Sequence, residues 1–325
     1  MNDTPFIVKS SPHWRDPDTV PRIMGRVLLA LIPSLAASVY FFRFRAVSLY
    51  AACVIAGLST EAAVLLLRKK PLDSLLDGSA VITGILLAMC LPPALPLGMA
   101  VIGAVVSIGI GKQVFGGLGH NIFNPALVGR AFLSTAFPAA MTTWIPPAIL
   151  TVDTATYATP LGVLKFHDAV AQATLVPLKS LFLGTVGGTL GGTSALALLI
   201  GGAYLLAKRT IDWRIPTGIV LSMAAFVGVF WLAAPDRYAS PLFHLLSGGL
   251  LLGSLFMATD MVTSPVTRTA TWVYAAGIGL ISALIRLFGG FPEGIMYAIL
   301  FMNTFVPLLN ILTRPRIFGE RRGPA

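Results

Sequence analysis

Charged side chains are scarce in this chain. Asp, Glu, Lys and Arg make up 11% of its 325 residues, whereas 56% are hydrophobic. A soluble globule of this size cannot be covered with so few charges, and the mean hydropathy of +0.83 points the same way. Cysteine is nearly absent. Cys53 and Cys90 both fall inside apolar runs, which leaves them as small buried hydrophobes and excludes a disulfide scaffold. The four histidines contain no His-x-x-x-His pair, so no metal is expected on this chain alone. No Gly-x-Gly-x-x-Gly follows a strand and no Walker lysine is present, which removes the usual phosphate-cradling loops. A cleavable signal peptide is not expected either: the first 22 residues are polar, and the first apolar run is long enough to stay as a transmembrane helix.

Long apolar runs, by contrast, recur from end to end. A spanning helix needs about 20 mainly apolar residues to cross a hydrocarbon core of ~30 Å. Ten stretches approach this, at 23–42, 46–67, 78–93, 95–111, 121–139, 184–207, 215–234, 242–259, 270–287 and 292–313. The third is short and closes on Pro92-Pro93, the pattern of a broken or half-spanning helix. The fold class expected is therefore all-α, a polytopic membrane protein with about ten transmembrane helices.

The formal charge of +10 suggests nucleic acid at first sight. Yet the basic residues sit at helix ends and do not alternate with aromatics on a soluble face, so topology explains them better and no nucleic-acid partner is expected. Arg43, Arg45, Lys165, Lys179, Arg237 and Arg286 fall on one side, Arg130 lies within a span, and the remaining lysines and arginines, Lys112 among them, collect on the other. By the positive-inside rule both termini are cytoplasmic and the 140–183 loop is extracytoplasmic. The chain divides into an N-terminal arm (1–22), a first membrane repeat (23–139), the long loop (140–183), a second membrane repeat (184–313) and a basic tail (314–325).

The repeat itself is visible. The twelve residues from Gly116 to Leu127 align without gaps to Gly289–Leu300, a shift of 173 residues. In both copies a basic residue, Lys112 or Arg286, and a Phe-Gly-Gly turn introduce a hydrophobic helix. The spans place these turns on opposite sides, so the repeats are inverted, an arrangement that commonly encloses a midplane site built from broken helices.

Several polar residues sharpen the picture. Glu61 in the second span, Asp77 at the start of the third, Asp260 at the end of the eighth and Glu293 at the start of the tenth are costly to hold near hydrocarbon. They read as an ion path, or, for Asp77, Asp260 and Glu293, as interfacial residues of which those at helix N-termini serve as caps. Glu61 is the deepest, and its alternative role is a salt bridge to a basic residue such as Arg130. Asn121 and Asn124, three residues apart, would share one helical face and offer donors and acceptors to a planar heterocycle, or cap a helix and join its neighbours. Gly116, Gly117 and Gly119 permit close backbone approach in either case.

The stretch Asp153-Thr154-Ala155-Thr156-Tyr157-Ala158-Thr159 resembles the acceptor motif of bacterial flavin transferases, in which the last threonine carries FMN through a phosphoester. Here Thr159 would be the attachment point, with Asp153, Thr156 and Ala158 completing the motif. Together with Ser11-Pro12-His13, Asp77 through Gly84, Gly117 through Phe132 and Glu293 through Pro307, the heptad makes nearly the whole chain resemble the RnfD family of the Rnf electron-transport complexes, whose cousin is NqrB of the sodium-pumping NADH:quinone oxidoreductase. Tyr157 departs from the small residue found in many members.

The resemblance implies a flavoprotein subunit of an ion-translocating oxidoreductase in the bacterial inner membrane, relaying electrons between ferredoxin and NAD and coupling them to Na+ or H+ movement. It also implies partners (Rnf subunits A, B, C, E and G, the flavin transferase and membrane lipid), covalent FMN on Thr159, and noncovalent riboflavin near Asn121 and Asn124. A secondary transporter without redox activity shares the repeats and buried carboxylates. It does not call for the heptad.

Overall fold

The computed structural model describes residues 18–147, 158–166 and 176–315. Asp153 and Thr156, the Ser11-Pro12-His13 arm and the basic tail beyond residue 315 lie outside them. Among the described residues all regular elements are helical. Helix α1 (Val20–Phe42) starts with Pro21 in its first turn, where the missing N–H costs nothing. It ends at Arg43, whose positive φ of 51° turns the chain within one residue into α2 (Phe44–Leu67). The run Arg68-Lys69-Lys70 follows α2 directly, as a polar boundary to an apolar helix should.

Helix α3 (Ser79–Met89) is half a span. Its 11 residues extend roughly 16 Å, about half the hydrocarbon thickness. All but Val81 are buried. A helix that stops inside the membrane leaves carbonyls that water cannot satisfy. The Gly191 N–H donates to Met89 O at 2.8 Å and the Leu190 N–H to Leu91 O at 3.1 Å, so backbone from the second repeat supplies what the break removes.

Helix α4 (Leu97–Ile108) continues into a π-turn at Gly109–Gln113, and Gly116, Gly117 and Gly119, all at positive φ, reverse the chain. Helix α5 (Pro125–Ala136) follows, then a single turn, α6 (Pro138–Met141). Within the 140–183 segment lie α7 (Pro160–Phe166) and α8 (Leu178–Leu183), followed by α9 (Ala195–Ala207) and α10 (Arg214–Ala233). Next is a broken unit, α11 (Pro241–Leu246) and α12 (Leu250–Leu252), the latter running into a π-turn at Gly253–Met257. Helices α13 (Arg268–Phe288) and α14 (Ile295–Leu312) close the fold.

Each of the ten apolar stretches contains helix, but only α1, α2, α10, α13 and α14 among the described helices are long and apolar enough to cross a membrane alone. The stretch at 184–207 is helical only from Ala195, because the glycines at 184, 187, 188, 191 and 192 make helix costly before it. Asn121 and Asn124 do not share a helical face as the spacing suggested. Pro125 starts α5 only after them, so both lie in the irregular segment that leads into it.

The helix packing repeats as the sequence repeat requires. α2 lies on α4 as α10 lies on α13, α4 on α5 as α13 on α14, and α1 crosses to α9 to join the halves. One apolar core runs through both. Close approach of α1 and α9 depends on Gly201, where a Cβ would collide with the Ala30 carbonyl oxygen. Gly201→Leu is therefore expected to abolish most folded protein in membranes. Gly98→Ala, at a position with open space around it, should leave yield and Tm in detergent unchanged.

Candidate functional site

The deepest polar feature is a buried chain of side chains in the first repeat. Glu61 (1% exposed) reaches it from α2, Lys112 (2% exposed) and Gln113 from the π-turn after α4, and Ser79 from the start of α3. Lys112 Nζ donates to Glu61 Oε1 and to Ser79 Oγ, both at 2.6 Å, and Gln113 Nε2 donates to the same Glu61 oxygen at 2.8 Å. Ser79 in turn donates its hydroxyl and its backbone N–H to Asp77 Oδ1, so Asp77, just ahead of α3, forms the half-exposed end of the relay. Glu61 Oε2 is buried and has no partner among the described residues.

Two sequence expectations change here. Glu61 pairs with Lys112 and not with Arg130, and Lys112 is no flanking surface charge. A π-turn widens the helix by one residue per turn, which points Lys112 inward where an α-helical register would carry it round. That register shift is not readable from spacing. The one signal was the repeat, which placed a basic residue before each Phe-Gly-Gly turn. Its counterpart, Arg286, is also buried and donates to the carbonyls of His244 and Ser247, at the break between α11 and α12.

Next to Lys112 and Ser79 lies a cavity between the repeats, with about 770 Å³ of non-atom space including its mouth. Asn121, Asn124 and Asp260 all line it, which brings three of the sequence candidates together. Their roles differ. Asn124 Oδ1 accepts from the Ala126 and Leu127 N–H groups and so caps α5, while its Nδ2 donates to Met257 O at 3.2 Å and ties the two repeats. Asn121 Nδ2 donates to Phe123 O, but its Oδ1 is buried without a partner among the described residues, and so is Thr210 Oγ1 across the cavity. Asp260 accepts from the Val262 N–H and the Thr263 hydroxyl. The remaining wall is largely apolar, with Met24, Val27, Ile82 and Phe256. Apolar faces with a few unsatisfied polar atoms suit a flat, mixed-edge heterocycle.

A second cavity, with about 350 Å³ of space including its mouth, lies beneath α7. Thr159 (9% exposed) precedes that helix and accepts the Gly162 N–H at 3.0 Å on Oγ1, so it is the N-cap. Its hydroxyl proton is given to no described acceptor. Gly187, Gly188, Gly192 and Gly248 line the cavity with backbone, and the Ser247 hydroxyl within it has no partner among the described residues. Ala158, beside Thr159, is exposed. Glu293 completes the wall, held at 2.8 Å by Arg130 from α5. Thus Arg130, which a span position suits to partner a carboxylate or a phosphate, is paired here with a carboxylate, and the pair joins the two repeats. A threonine hydroxyl whose proton has no acceptor among the described residues, with an exposed neighbour and glycine backbone around it, fits a phosphoester-linked group.

Residues 7–319 match the NQR2, RnfD, RnfE family. The chain belongs to that family. It is 46% identical, over 98% of this chain and 97% of the relative, to the D subunit of the Na(+)-translocating ferredoxin:NAD(+) oxidoreductase complex of Acetobacterium woodii. It is 43% identical, again over 98% and 97%, to the D subunit of the proton-translocating ferredoxin:NAD(+) oxidoreductase complex of Clostridium ljungdahlii. The D subunit of the ion-translocating oxidoreductase complex of Stutzerimonas stutzeri shares 42% identity over 93% of each chain. In this NQR2, RnfD, RnfE family member the two charge pairs, Glu61–Lys112 and Arg130–Glu293, are the ionic contacts among the described residues that lie within the helix bundle.

Removing one member of a buried pair leaves an unpaired charge, which typically costs about 3–5 kcal/mol. Lys112→Met is therefore expected to lower Tm and membrane yield sharply. The double variant Glu61→Gln/Lys112→Met should recover much of both, and a double-mutant cycle of thermal unfolding in detergent measures the coupling.

Proposed function

We propose that this chain is the membrane flavoprotein subunit of an Rnf-type redox-driven ion pump, relaying electrons between ferredoxin and NAD and coupling them to Na+ or H+ translocation. It works within a complex with subunits A, B, C, E and G, in the bacterial inner membrane, and is inactive alone. The observation that carries the flavin reading is Thr159: the last residue of the Asp153–Thr159 heptad, whose hydroxyl proton has no acceptor among the described residues, stands over a glycine-lined cavity. Family membership and the names of the relatives support the rest.

FMN, once esterified to Thr159 by a flavin transferase, supplies one- and two-electron redox chemistry at the extracytoplasmic end. The chain's own contribution is placement. Thr159 is fixed by its cap on α7, and Arg130 neutralises Glu293 so that a phosphodiester beside that carboxylate meets no net negative charge. In the cavity between the repeats, Asn121 Oδ1 and Thr210 Oγ1 would take the polar edge of a riboflavin ring system, while Asn124 holds the walls together.

Coupling requires an ion site whose occupancy or access differs between redox states, because a ligand indifferent to both shifts nothing. Glu61, Asp77, Asp260 and Glu293 are the acidic groups available, and the relay from Asp77 through Ser79 and Lys112 to Glu61 runs from a half-exposed end to a buried, unpartnered oxygen. Moving one charge against ~100 mV takes about 2.3 kcal/mol, which sets the work per transfer. Relatives of nearly equal similarity are named for Na+ and for H+, so overall likeness does not choose the ion.

Ultraviolet fluorescence of the denatured chain in a gel, after expression with a flavin transferase, is expected to show a bright wild-type band and a dark Thr159→Val band. A dark wild type overturns the flavin reading and favours a transporter without redox activity. Glu61→Gln in the assembled complex is expected to cut redox-driven ion uptake into vesicles at least tenfold while flavin fluorescence persists; unaltered uptake removes Glu61 from the ion path.

A further inference from the structure

A third cavity, with about 760 Å³ of space including its open mouth, lies where α7, α11 and the C-terminal end of α13 meet. Lys165, Arg237, His244 and Arg286 line it, and among the described residues no carboxylate does. None of these four makes an ion pair among the described residues. Asp236 precedes Arg237 in sequence but does not line the cavity, and the acid on α14's leading edge, Glu293, is taken by Arg130.

The buried members are incompletely satisfied. Arg286 (4% exposed) spends two nitrogens on the His244 and Ser247 carbonyls, but its Nε has no partner among the described residues. His244 (1% exposed) likewise has none on either ring nitrogen. Lys165 donates to the Arg286 and Leu287 carbonyls at 3.0 and 3.2 Å, and burial pushes its ammonium below the usual lysine range. Capping the end of α13 explains part of this arrangement. It does not explain why cationic and donor groups converge with no carboxylate among the described residues that line the cavity, since buried charge without a partner is costly.

The surroundings say what kind of anion. α13 is long and apolar enough to cross a membrane, so its C-terminal end lies at a membrane interface, and the cavity there shares no lining residue with the cavity between the repeats. Phe230, Tyr238 and Phe288 cluster there, with ring centroids of Phe230 at 5.5 Å from Tyr238 and 5.3 Å from Phe288. Phe288 is exposed and also lines the cavity. A ligand that meets cations at one end and exposed aromatic surface at the other carries a phosphate and a hydrocarbon tail. We propose that Lys165, Arg237, His244 and Arg286 bind the phosphate of an anionic membrane phospholipid at this end of the chain. The inference does not rest on the flavin reading.

The test uses the assembled complex in neutral detergent, equilibrated with mixed micelles of phosphatidylglycerol and phosphatidylcholine, with bound lipid quantified after gel filtration. Lys165→Gln/Arg237→Gln should retain phosphatidylglycerol about thirty-fold more weakly than wild type, from the usual contribution of two interfacial cations. Phosphatidylcholine retention should not change. Thr159→Val should hold phosphatidylglycerol as wild type does, and millimolar inorganic phosphate should not displace it. Equal retention by wild type and the double variant overturns the site. Loss in Thr159→Val assigns the anion to the flavin phosphodiester, and displacement by inorganic phosphate assigns it to free phosphate; either overturns the lipid. If the double variant does not assemble, Arg237→Gln alone, at an exposed residue, carries the same reading with a proportionately smaller loss.

Discussion

Hydrocarbon offers no hydrogen bonds, so every helix that stops inside the membrane must find partners for its last carbonyls or first N–H groups. This fold contains two such interruptions among its described residues and depends on how each is met. The end of α3 is satisfied by backbone N–H groups of Leu190 and Gly191, and the end of α11, nearer the membrane interface, by the guanidinium of Arg286. A third junction, between the start of α5 and the π-turn after α12, is held by the single amide of Asn124. Two of these three contacts run from one repeat to the other. The same bonds that permit irregular backbone at depth therefore lock the halves together, and the irregular segments are where the cavities form.

The charged groups obey a related rule. A lone charge at this depth is expensive, and the acids Glu61 and Glu293 are each held by a base. Glu61–Lys112 lies within the first repeat, and Arg130–Glu293 bridges the two. The pairs also differ in what surrounds them. Glu61 keeps one oxygen without a partner among the described residues and communicates through Ser79 with the half-exposed Asp77. Glu293 instead forms a wall of the cavity beside Thr159. Pairing alone would make the two alike; an oxygen with no partner among the described residues in one case and a cavity in the other set them apart.

Composition and the length of the apolar runs were enough to assign an all-α membrane chain, because the thickness of the bilayer imposes one length scale on every span. The proline pair after α3 announced a broken helix, and Gly116 through Leu127 announced the repeat. The partners of the buried charges were another matter. Lys112 counts as a flanking cation on any hydropathy profile, and only the π-turn that rotates it inward reveals otherwise. Asn121 and Asn124 looked alike in the sequence: Pro125 denies them a common helical face, leaving one as a cap and the other with an acceptor that has no partner among the described residues.

By itself, then, the sequence determined what the chain is made to sit in, that its halves are related, and where the Thr159 heptad falls, since these follow from local residue type and from periodicity. Tertiary structure alone decided that Glu61 meets Lys112, that Arg130 meets Glu293 across 163 positions, and that Lys165, Arg237, His244 and Arg286 surround one cavity. The reason is geometric. Pairings between residues far apart in the chain depend on helix rotation, on glycine-permitted approach and on single-residue π-turns, none of which leaves a regular mark on the order of the amino acids.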